Sequence, residues 1–525
     1  MNENTTRQTL NVWFNFKFRL LTGGILVGLL AGIVVVMYRY VLEELLYIVL
    51  GLYTFLTHHV WLIPIWILVL VVIGWVTGQL GKKQPMISGS GIPQVKGILQ
   101  SKLQIYWWKA LIAKFVGGTL CIGAGLSLGR EGPSIQLGAS VGQGVGRLLR
   151  KPKTEENMLI TCGASAGLAA AFNAPIAGVI FALEEIHMNF SPLIMIAALA
   201  SSLMADFVSK EFFGLSPVFH FSSIGTLPLT QYWHLIILGM IIGCAGIGFN
   251  KSIYYFQDLY KKINRLPVEW RPVLPLLLSA GLGFVLPEVL GGGNKLVNEL
   301  TTASFPLKLL IILLVVKFLF TMFSYGSSAP GGIFLPMLVI GGLIGVIYTK
   351  IINGLMGESL LNEAVFLTVA MAGYFSASVK SPITGIILIT EMTGSFNNLL
   401  STGVVCLIAY MTAELFRSRP IYEVLLERFL RQATGEIKGA AAEKIIIEIP
   451  VHPGSALDGM FIKDFQWPAN CLIVSIKRGS DELIPTGDFG IKSGDYLTIL
   501  TNEDRASKVR RILQKASVMS LGRYS

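Results

Sequence analysis

Charged side chains are scarce in this sequence of 525 residues, of which only 14% are charged while 53% are hydrophobic. Soluble domains carry about 25% charged residues, and the mean hydropathy here is +0.64. Nearly uninterrupted apolar runs, such as 67–76 and 309–316, are typical of membrane helices and not of the short alternating strands of a membrane barrel. The composition excludes a soluble protein and predicts an all-α polytopic membrane protein.

Cysteine is also scarce, and its spacing is irregular. Five scattered cysteines give neither a disulfide framework nor the paired spacing of a metal site. Four of them lie in apolar segments, where cysteine usually acts as a small hydrophobe. We therefore expect no metal and no resident cofactor. The five positions are Cys121, Cys162, Cys244, Cys406 and Cys471.

Basic residues outnumber acidic ones, and the formal net charge is +11. The aromatic residues lie in apolar runs and do not alternate with basic patches, so we expect a basic cytoplasmic face beside a lipid bilayer and no nucleic-acid partner. Arg7, Lys17 and Arg19 precede the first apolar run, without a small-residue cleavage site. Residues 1–19 therefore read as a cytoplasmic end and not as a signal peptide.

The chain contains two copies of one plan, at about 20–205 and 235–425, which together make a membrane domain at 20–425. In each copy a Lys-Phe pair opens a run that reaches Gly-x-x-x-Pro at the same spacing. A later proline is followed nine residues on by an acid. Duplicated membrane units with Gly- and Pro-interrupted segments are typical of transporters whose site lies between the repeats. The matching residues are Lys114 and Lys317, Pro133 and Pro336, Pro175 and Pro382, and Glu184 and Glu391.

Three glycine-rich turns, at 89–93, 129–133 and 332–336, each place a proline at the expected start of a helix. The first N–H groups of a helix lack internal partners, and the helix dipole attracts an anion to that end. If the turns converge, they form a neutral cradle for a small anion. Hydroxyls of Ser90 and Tyr422 would complete the cradle, although alone Ser90 fits a helix cap and Tyr422 fits an interfacial anchor.

Acidic residues occur at two notable places. Glu131 lies inside the second turn, where its carboxylate either occupies the anion cradle and leaves on protonation, or forms a structural pair with Arg130. Glu184 and Glu185 end an apolar stretch and form either a proton port from the cytoplasm or a solvated helix end. Charges at membrane depth are costly and often mark a substrate path or proton relay.

The character of the chain changes after Tyr422. Residues 426–442 are charged and alanine-rich, which predicts a cytoplasmic helix or linker. Short strand-like runs at 444–451, 471–477 and 495–500 precede a basic helix at 504–516. We expect a small cytoplasmic α/β domain at 443–516 and a tail at 517–525.

The three turns resemble the signature motifs of the CLC chloride channels and transporters. They read Gly-Ser-Gly-Ile-Pro, Gly-Arg-Glu-Gly-Pro and Gly-Ile-Phe-Leu-Pro, and 163–185 resembles the bacterial members. The resemblance implies two inverted repeats of tilted and re-entrant helices, and a homodimer with one anion pathway per subunit. It also implies a bacterial plasma membrane protein with both termini in the cytoplasm.

The resemblance also assigns residue roles. Glu131 is the external gate and Glu185 the internal proton glutamate. Chloride is held by Ser90, Gly132, Ile333, Phe334 and Tyr422. The surrounding filter motifs are Gly89, Gly91, Ile92, Pro93, Gly129, Arg130, Pro133, Gly332 and Pro336.

A glutamate at position 185 is typical of proton-coupled exchangers, and a serine at position 90 of chloride-selective members; nitrate-preferring members carry proline there. The expected function is chloride/proton antiport. Gln94 and Lys96 depart from the acids that some bacterial exchangers carry at these positions. An uncoupled chloride channel is the alternative. A membrane hydrolase is a remote one, because Glu184-Glu185-Ile186-His187 lacks the second histidine of a zinc site.

The C-terminal segment contains Ile-Lys-Arg-Gly at 476–479, Ile-Pro-x-Gly-Asp at 484–488 and Gly-Asp-Tyr-Leu at 494–497. With these residues it resembles the regulatory domain of potassium-conductance regulators, RCK-C. The resemblance implies regulation of transport by a ligand, with a cyclic dinucleotide as the first candidate. Basic residues in this segment also indicate a phosphate-bearing ligand, although they could equally solvate the domain or contact anionic lipid. They are Lys477, Arg478, Arg505, Arg510 and Arg511.

Overall fold

A computed structural model describes residues 3–188, 190–219, 221, 225–263, 267–303, 305–356, 361–433, 444–469, 471–479 and 481–518. The chain divides into two compact units, Met1–Phe429 and Leu430–Ser525. The first is the membrane unit and the second is the C-terminal unit.

The membrane unit is built from α-helices, and its first half contains eight of them in the described residues. A π-helical turn, Ala182–His187, continues the seventh helix and contains Glu184 and Glu185. Such turns occur frequently at functional sites. The eight helices are α1 (Glu3–His58), α2 (Ile63–Lys83), α3 (Ile92–Leu99), α4 (Trp107–Gly123), α5 (Glu131–Leu148), α6 (Lys153–Phe172), α7 (Pro175–Phe181) and α8 (Pro192–Phe213).

The second half repeats this order of helices. Short 3₁₀ turns at corresponding places, Pro85–Ile87 and Pro287–Val289, precede the third helix of each half. The helix α17 (Ile421–Ala433) follows the repeat. The eight repeated helices are α9 (Tyr232–Lys262), α10 (Val273–Val285), α11 (Asn294–Thr302), α12 (Leu307–Gly326), α13 (Phe334–Met356), α14 (Glu363–Val379), α15 (Pro382–Thr393) and α16 (Leu399–Leu415).

Helix length separates spanning from partly inserted segments. Eight helical segments of the described residues are long and apolar enough to cross a membrane. By contrast, α3, α7 and α11 have only eight, seven and nine residues, whereas crossing a bilayer takes about 20. The start of α3 is buried in protein, which is where membrane proteins tolerate interrupted helices. The predicted helical membrane fold with short re-entrant helices is confirmed.

Matching glycines hold the first and last helices of each half together. A Cβ atom at Gly28 of α1 would lie 2.2 Å from the carbonyl oxygen of Ser201 in α8. A Cβ atom at Gly239 of α9 would lie 2.8 Å from a methyl carbon of Ile408 in α16. Both contacts need the close approach that small residues allow between membrane helices.

The two halves meet through their glycine-rich turns. The N–H of Gly129 donates to the carbonyl of Gly332 (2.6 Å), and the N–H of Gly332 donates to the carbonyl of Gly129 (2.7 Å). This pair is an antiparallel bridge. Corresponding residues therefore meet while their segments run in opposite directions, as inverted repeats require.

The C-terminal unit contains an antiparallel sheet and one helix in its described residues. The strands are β1 (Lys444–Pro450), β2 (Cys471–Arg478), β3 (Asp481–Leu483) and β4 (Tyr496–Asn502), in the order β1-β4-β2-β3. The helix α18 (Glu503–Val518) packs on β1 and β4. Ile449, Leu497 and Leu513 belong to the core between sheet and helix. The small α/β domain expected from the sequence is present, with β3 as an additional short strand.

Element boundaries cross two of the predicted domain limits. Helix α1 begins at Glu3, so the proposed N-terminal segment 1–19 continues into the first helix. Helix α17 passes through the limit drawn at residue 425 and covers the first part of the proposed linker. Residues 434–443, and 519–525 of the tail, lie outside the described residues.

Candidate functional site

The three glycine-rich turns converge inside the membrane unit. The N–H of Gly331 donates to the carbonyl of Gly89 (3.0 Å), which joins the first turn to the third. The bridge between Gly129 and Gly332 joins the second turn to the third. Because α3, α5 and α13 begin at these turns, three helix N-termini meet at one place, where partial positive charge accumulates.

Two glycines allow the starts of α3 and α5 to approach closely. Gly91 has φ +95°, a left-handed conformation, and a Cβ atom there would lie 2.4 Å from the side-chain oxygen of Gln136. A Cβ atom at Gly132 would lie 2.6 Å from the carbonyl oxygen of Ser90. A larger residue at either position would push the two helix starts apart.

Ser90 is buried in the first turn, and its Oγ accepts a hydrogen bond from the N–H of Ile92 (3.1 Å). Ser90 therefore satisfies the first N–H of α3, although the N-cap residue of this helix is Gly91. A hydroxyl also donates one hydrogen, so Ser90 can cap α3 and still donate to a bound anion.

Tyr422 is fully buried near the start of α17, which does not fit an interfacial anchor. Its hydroxyl has no hydrogen-bond partner among the described residues. Its ring contacts Phe181 edge-on (6.5 Å between centroids), and Phe181 in turn contacts Phe334 of the third turn (5.9 Å). An unpaired buried hydroxyl is costly unless a ligand satisfies it.

The third turn contributes the first N–H groups of α13. Ile333 and Phe334 are fully buried, and they stand where an α-helix has no internal acceptors for its N–H groups. Phe334 also packs against Phe172 and Phe375. These aromatic contacts fix the position of the turn.

Glu131 is fully buried at the first position of α5. Its carboxylate lies beside Gly129 and near the N–H of Leu335 in the third turn. Neither oxygen makes a hydrogen bond of good geometry with a described group. Arg130 pairs with Glu43 of α1 instead, so the structural Arg130–Glu131 pair considered from the sequence is not formed.

The adjacent acids Glu184 and Glu185 have different partners. Glu185 is 5% exposed and pairs with Lys96 of α3 (2.9 Å), and the hydroxyl of Ser381 donates to its second oxygen (3.3 Å). Glu184 accepts hydrogen bonds from the first turn of α15. Neither acid is a solvated helix end.

Two buried lysines support the turns, and the sequence analysis used them only as markers of the repeat. Each ammonium group donates to two carbonyls of the 3₁₀ turn and the following glycine in its own half. The sequence did contain a signal for this role, because a lysine lies inside an apolar run at the same position of both repeats. The bonds join Lys114 to Ile87 (2.8 Å) and Gly89 (2.6 Å), and Lys317 to Val289 (2.9 Å) and Gly291 (2.7 Å).

Comparison with known families identifies this arrangement. The family model for voltage gated chloride channels matches residues 69–414. The chain belongs to this family, the CLC family. A TrkA-C domain model matches residues 446–514. The resemblance read from the sequence is therefore confirmed in both parts of the chain.

Curated CLC relatives carry the same description. The H(+)/Cl(-) exchange transporter ClcA of Citrobacter koseri is 35% identical over 361 residues, which are 68% of this chain and 76% of the relative. The protein with that description in Vibrio parahaemolyticus is 35% identical over 353 residues, 66% of this chain and 76% of the relative.

Solved CLC structures share the fold. A slow cyanobacterial Cl⁻/H⁺ antiporter has a TM-score of 0.73 and 32% identity, over 79% of this chain and 99% of that chain. A CLC-type fluoride/proton antiporter has a TM-score of 0.64 and 25% identity, over 76% and 96% of the two chains. The CLC protein described here is a multi-pass membrane transport protein and not an enzyme, which rules out the hydrolase alternative.

Proposed function

We propose that the protein exchanges chloride for protons. The observation that carries this proposal is the presence of two buried carboxylates, Glu131 where the helix N-termini converge and Glu185 on the π-helical turn after α7. The hydroxyl of Tyr422, which has no hydrogen-bond partner among the described residues, adds a donor for an anion. The two relatives named as H(+)/Cl(-) exchange transporters also support the proposal.

The anion site holds chloride by partial charges. The N–H groups of Ile333 and Phe334 and the hydroxyls of Ser90 and Tyr422 face the ion. Gly132 contributes by letting the start of α5 lie directly against Ser90. Conduction needs binding strong enough for entry and weak enough for release. The ammonium group of Lys114 is bound to the carbonyls of Ile87 and Gly89, so it supports the first turn and is not a direct ligand of the ion.

Glu131 is the gate of this site. As a carboxylate it competes with chloride for the N–H groups at the start of α13, because both carry negative charge. After it takes up a proton it loses that attraction and moves away, and chloride enters. Each opening therefore consumes one proton at Glu131, which couples the two fluxes.

Glu185 transfers protons on the cytoplasmic side. It lies on the π-helical turn after α7, apart from the three turns of the anion site. Protons therefore reach Glu131 by a route that differs from the route of chloride. An uncoupled channel is the alternative function, and a buried acid at position 185 argues against it.

Membership of the CLC family supports a proposal for the cellular setting. The protein is a homodimer of the bacterial plasma membrane, with an independent anion pathway in each subunit and both termini in the cytoplasm. The C-terminal unit regulates transport by binding a ligand, for which a cyclic dinucleotide is the first candidate.

Proton movement driven by chloride tests the exchange function. Purified protein in liposomes is given an outward chloride gradient, with potassium and its ionophore clamping the voltage, and the external pH is recorded. We expect chloride efflux to drive protons into the vesicles, and protein-free liposomes to show no movement. Chloride efflux without proton movement would establish the channel alternative.

A further inference from the structure

An ion pair between Lys96 and Glu185 is buried inside the membrane unit. The Nζ–Oε1 distance is 2.9 Å, and the side chains are only 3% and 6% exposed. Lys96 lies on α3, the eight-residue helix that begins at Ile92, directly after the turn that contains Ser90. The roles that the family resemblance assigns do not include Lys96, so they leave this ion pair unexplained.

The groups around Glu185 differ in charge and in partner. Glu423 of α17 is an acid close enough to act on it, and Tyr422 adds a neutral hydroxyl. His187 on the same turn is bonded to Thr161 of α6 (3.0 Å), and Glu184 is bonded to α15. Lys96 is thus the cation in direct contact with Glu185.

From this geometry we infer that Lys96 is a positioning residue for proton loading at Glu185. The inference rests on the proposed exchange function. The ion pair holds the carboxylate in one orientation and favours its charged form. When a proton binds Glu185, the ammonium of Lys96 loses its counter-charge while buried, which is costly. Loading therefore needs a higher proton concentration than the same buried carboxyl would need without Lys96.

Substitution of Lys96 tests the inference. In Lys96→Met the opposing cation is absent, and Glu185 takes up its proton at a proton concentration lower by about tenfold or more. Lys96→Gln keeps a hydrogen-bond donor without the charge, and it should shift the protonation midpoint of Glu185 in the same direction. This variant replaces Lys96→Met in the test if the methionine variant does not fold. Lys96→Arg keeps the charge and restores the wild-type midpoint.

Two readouts are needed, both on the full chain in lipid. Infrared difference spectroscopy follows the carboxyl band that disappears in Glu185→Gln, and so reports the protonation midpoint of Glu185 directly. Liposome assays report the internal pH at which chloride-driven proton movement is half-maximal. Lys82→Met is the matched control, because it removes a lysine from an exposed pair with Glu269 (3.0 Å) and leaves both midpoints unchanged.

The outcomes separate the inference from the proposed function. An infrared midpoint that is the same in wild type, Lys96→Met and Lys96→Gln overturns the positioning role, whatever the transport assay shows. An equal shift in Lys82→Met overturns it as well, because any lost positive charge would then suffice. A wild-type protein that moves chloride without protons overturns the exchange proposal instead, even where the infrared midpoint shifts.

Discussion

Glu184 and Glu391 each bind the first turn of a helix that belongs to the other half of the membrane unit. Glu184 follows α7 and caps α15, while Glu391 lies in α15 and caps α7. The exchange is reciprocal, as expected for two halves related by a two-fold axis. The N–H to oxygen distances are 3.3 Å from Ile383 and 2.8 Å from Thr384 to Glu184, and 3.1 Å from Ile176 and 2.7 Å from Ala177 to Glu391.

Loss of one cap should destabilise the membrane unit. Helix α7 has only seven residues, so its first N–H groups are a large share of its backbone hydrogen bonds. We expect Glu391→Ala to lower stability by about 0.5–2 kcal/mol, and Glu391→Gln to lose less because its amide oxygen still accepts. Thermal unfolding in detergent, followed by tryptophan fluorescence, measures the difference.

A control for this prediction is Glu299→Ala, which removes a partner of Lys295 at a distance of 3.6 Å within one helix. Such pairs contribute about 0.3–0.5 kcal/mol. If Glu299→Ala and Glu391→Ala lower the unfolding temperature equally, the cap between the two halves contributes no more to stability than an ordinary surface ion pair.

The sequence predicted the positions of these acids but not their partners. A nine-residue spacing after each proline marks a repeat, yet the hydrogen bonds join residues about 200 positions apart, and local periodicity contains no information about such contacts. Lys96 and Glu185 are 89 positions apart, and local periodicity could not predict their contact either. The helices and the turns at Gly89, Gly129 and Gly332 could be predicted, because apolar runs and Gly–Pro signals act locally.

Glu131→Gln should abolish proton movement while chloride still passes. The neutral amide has the shape of the protonated acid and does not compete with chloride for the start of α13. Chloride flux and chloride-driven acidification in liposomes measure both parts. Glu44→Gln, the same change at an exposed site on α1, should keep coupling. Acidification that survives in Glu131→Gln would refute the gate assignment.

Ser90→Pro should shift anion selectivity from chloride towards nitrate. Proline removes the Oγ that accepts from Ile92 and that is an anion ligand in the proposed site. A hydrogen bond to a charged group contributes about 1.5–3 kcal/mol, so we expect the chloride-to-nitrate uptake ratio to fall by roughly tenfold. Ser127→Ala is the control, since its hydroxyl binds Thr321 (2.8 Å). An unchanged ratio in Ser90→Pro would contradict the role of Ser90.

Arg478 and Asp495 should make the stability of the C-terminal unit depend on pH. Burial acts to raise the pKa of Asp495, but hydrogen bonds from Arg478 (2.7 and 2.8 Å) and from the N–H of Lys492 outweigh it and leave the pKa below its ordinary value. A carboxyl with a lowered pKa stabilises the fold above its unfolded pKa of about 3.9, and this contribution is lost as the pH falls below that value.

Arg478→Ala should therefore lower the stability of this unit at pH 7 by about 1.5–3 kcal/mol and weaken its decline in acid. Amide hydrogen exchange of β2 and β4 in the full-length protein, corrected for the intrinsic rates, measures both effects. Lys463→Ala removes an exposed pair with Asp488 (2.6 Å) and should cost less than about 1 kcal/mol. Equal effects of the two variants would contradict the prediction.

The basic residues expected to bind a phosphate group are not equally available. Arg478 is engaged by Asp495, whereas Lys477, Arg510 and Arg511 are exposed. The side chain of Arg505 lies outside the described residues. A ligand of the C-terminal unit should therefore depend on the three exposed residues more than on Arg478.

Deletion of 437–525 should leave chloride/proton exchange intact but remove its response to a cyclic dinucleotide. The deleted segment follows α17, the helix that carries Tyr422, so a ligand can bias the anion site through that helix only if it binds two states with different affinity. Liposome flux with and without cyclic dinucleotide, in the full-length and shortened proteins, measures the response.

The triple variant Lys477→Ala/Arg510→Ala/Arg511→Ala should keep basal exchange and lose the response. Calorimetry on the full-length protein should show binding of the cyclic dinucleotide that the triple variant lacks. Absence of binding at micromolar concentrations would eliminate the cyclic dinucleotide as the ligand, and a response that persists after the deletion would show that the C-terminal unit is not the receptor.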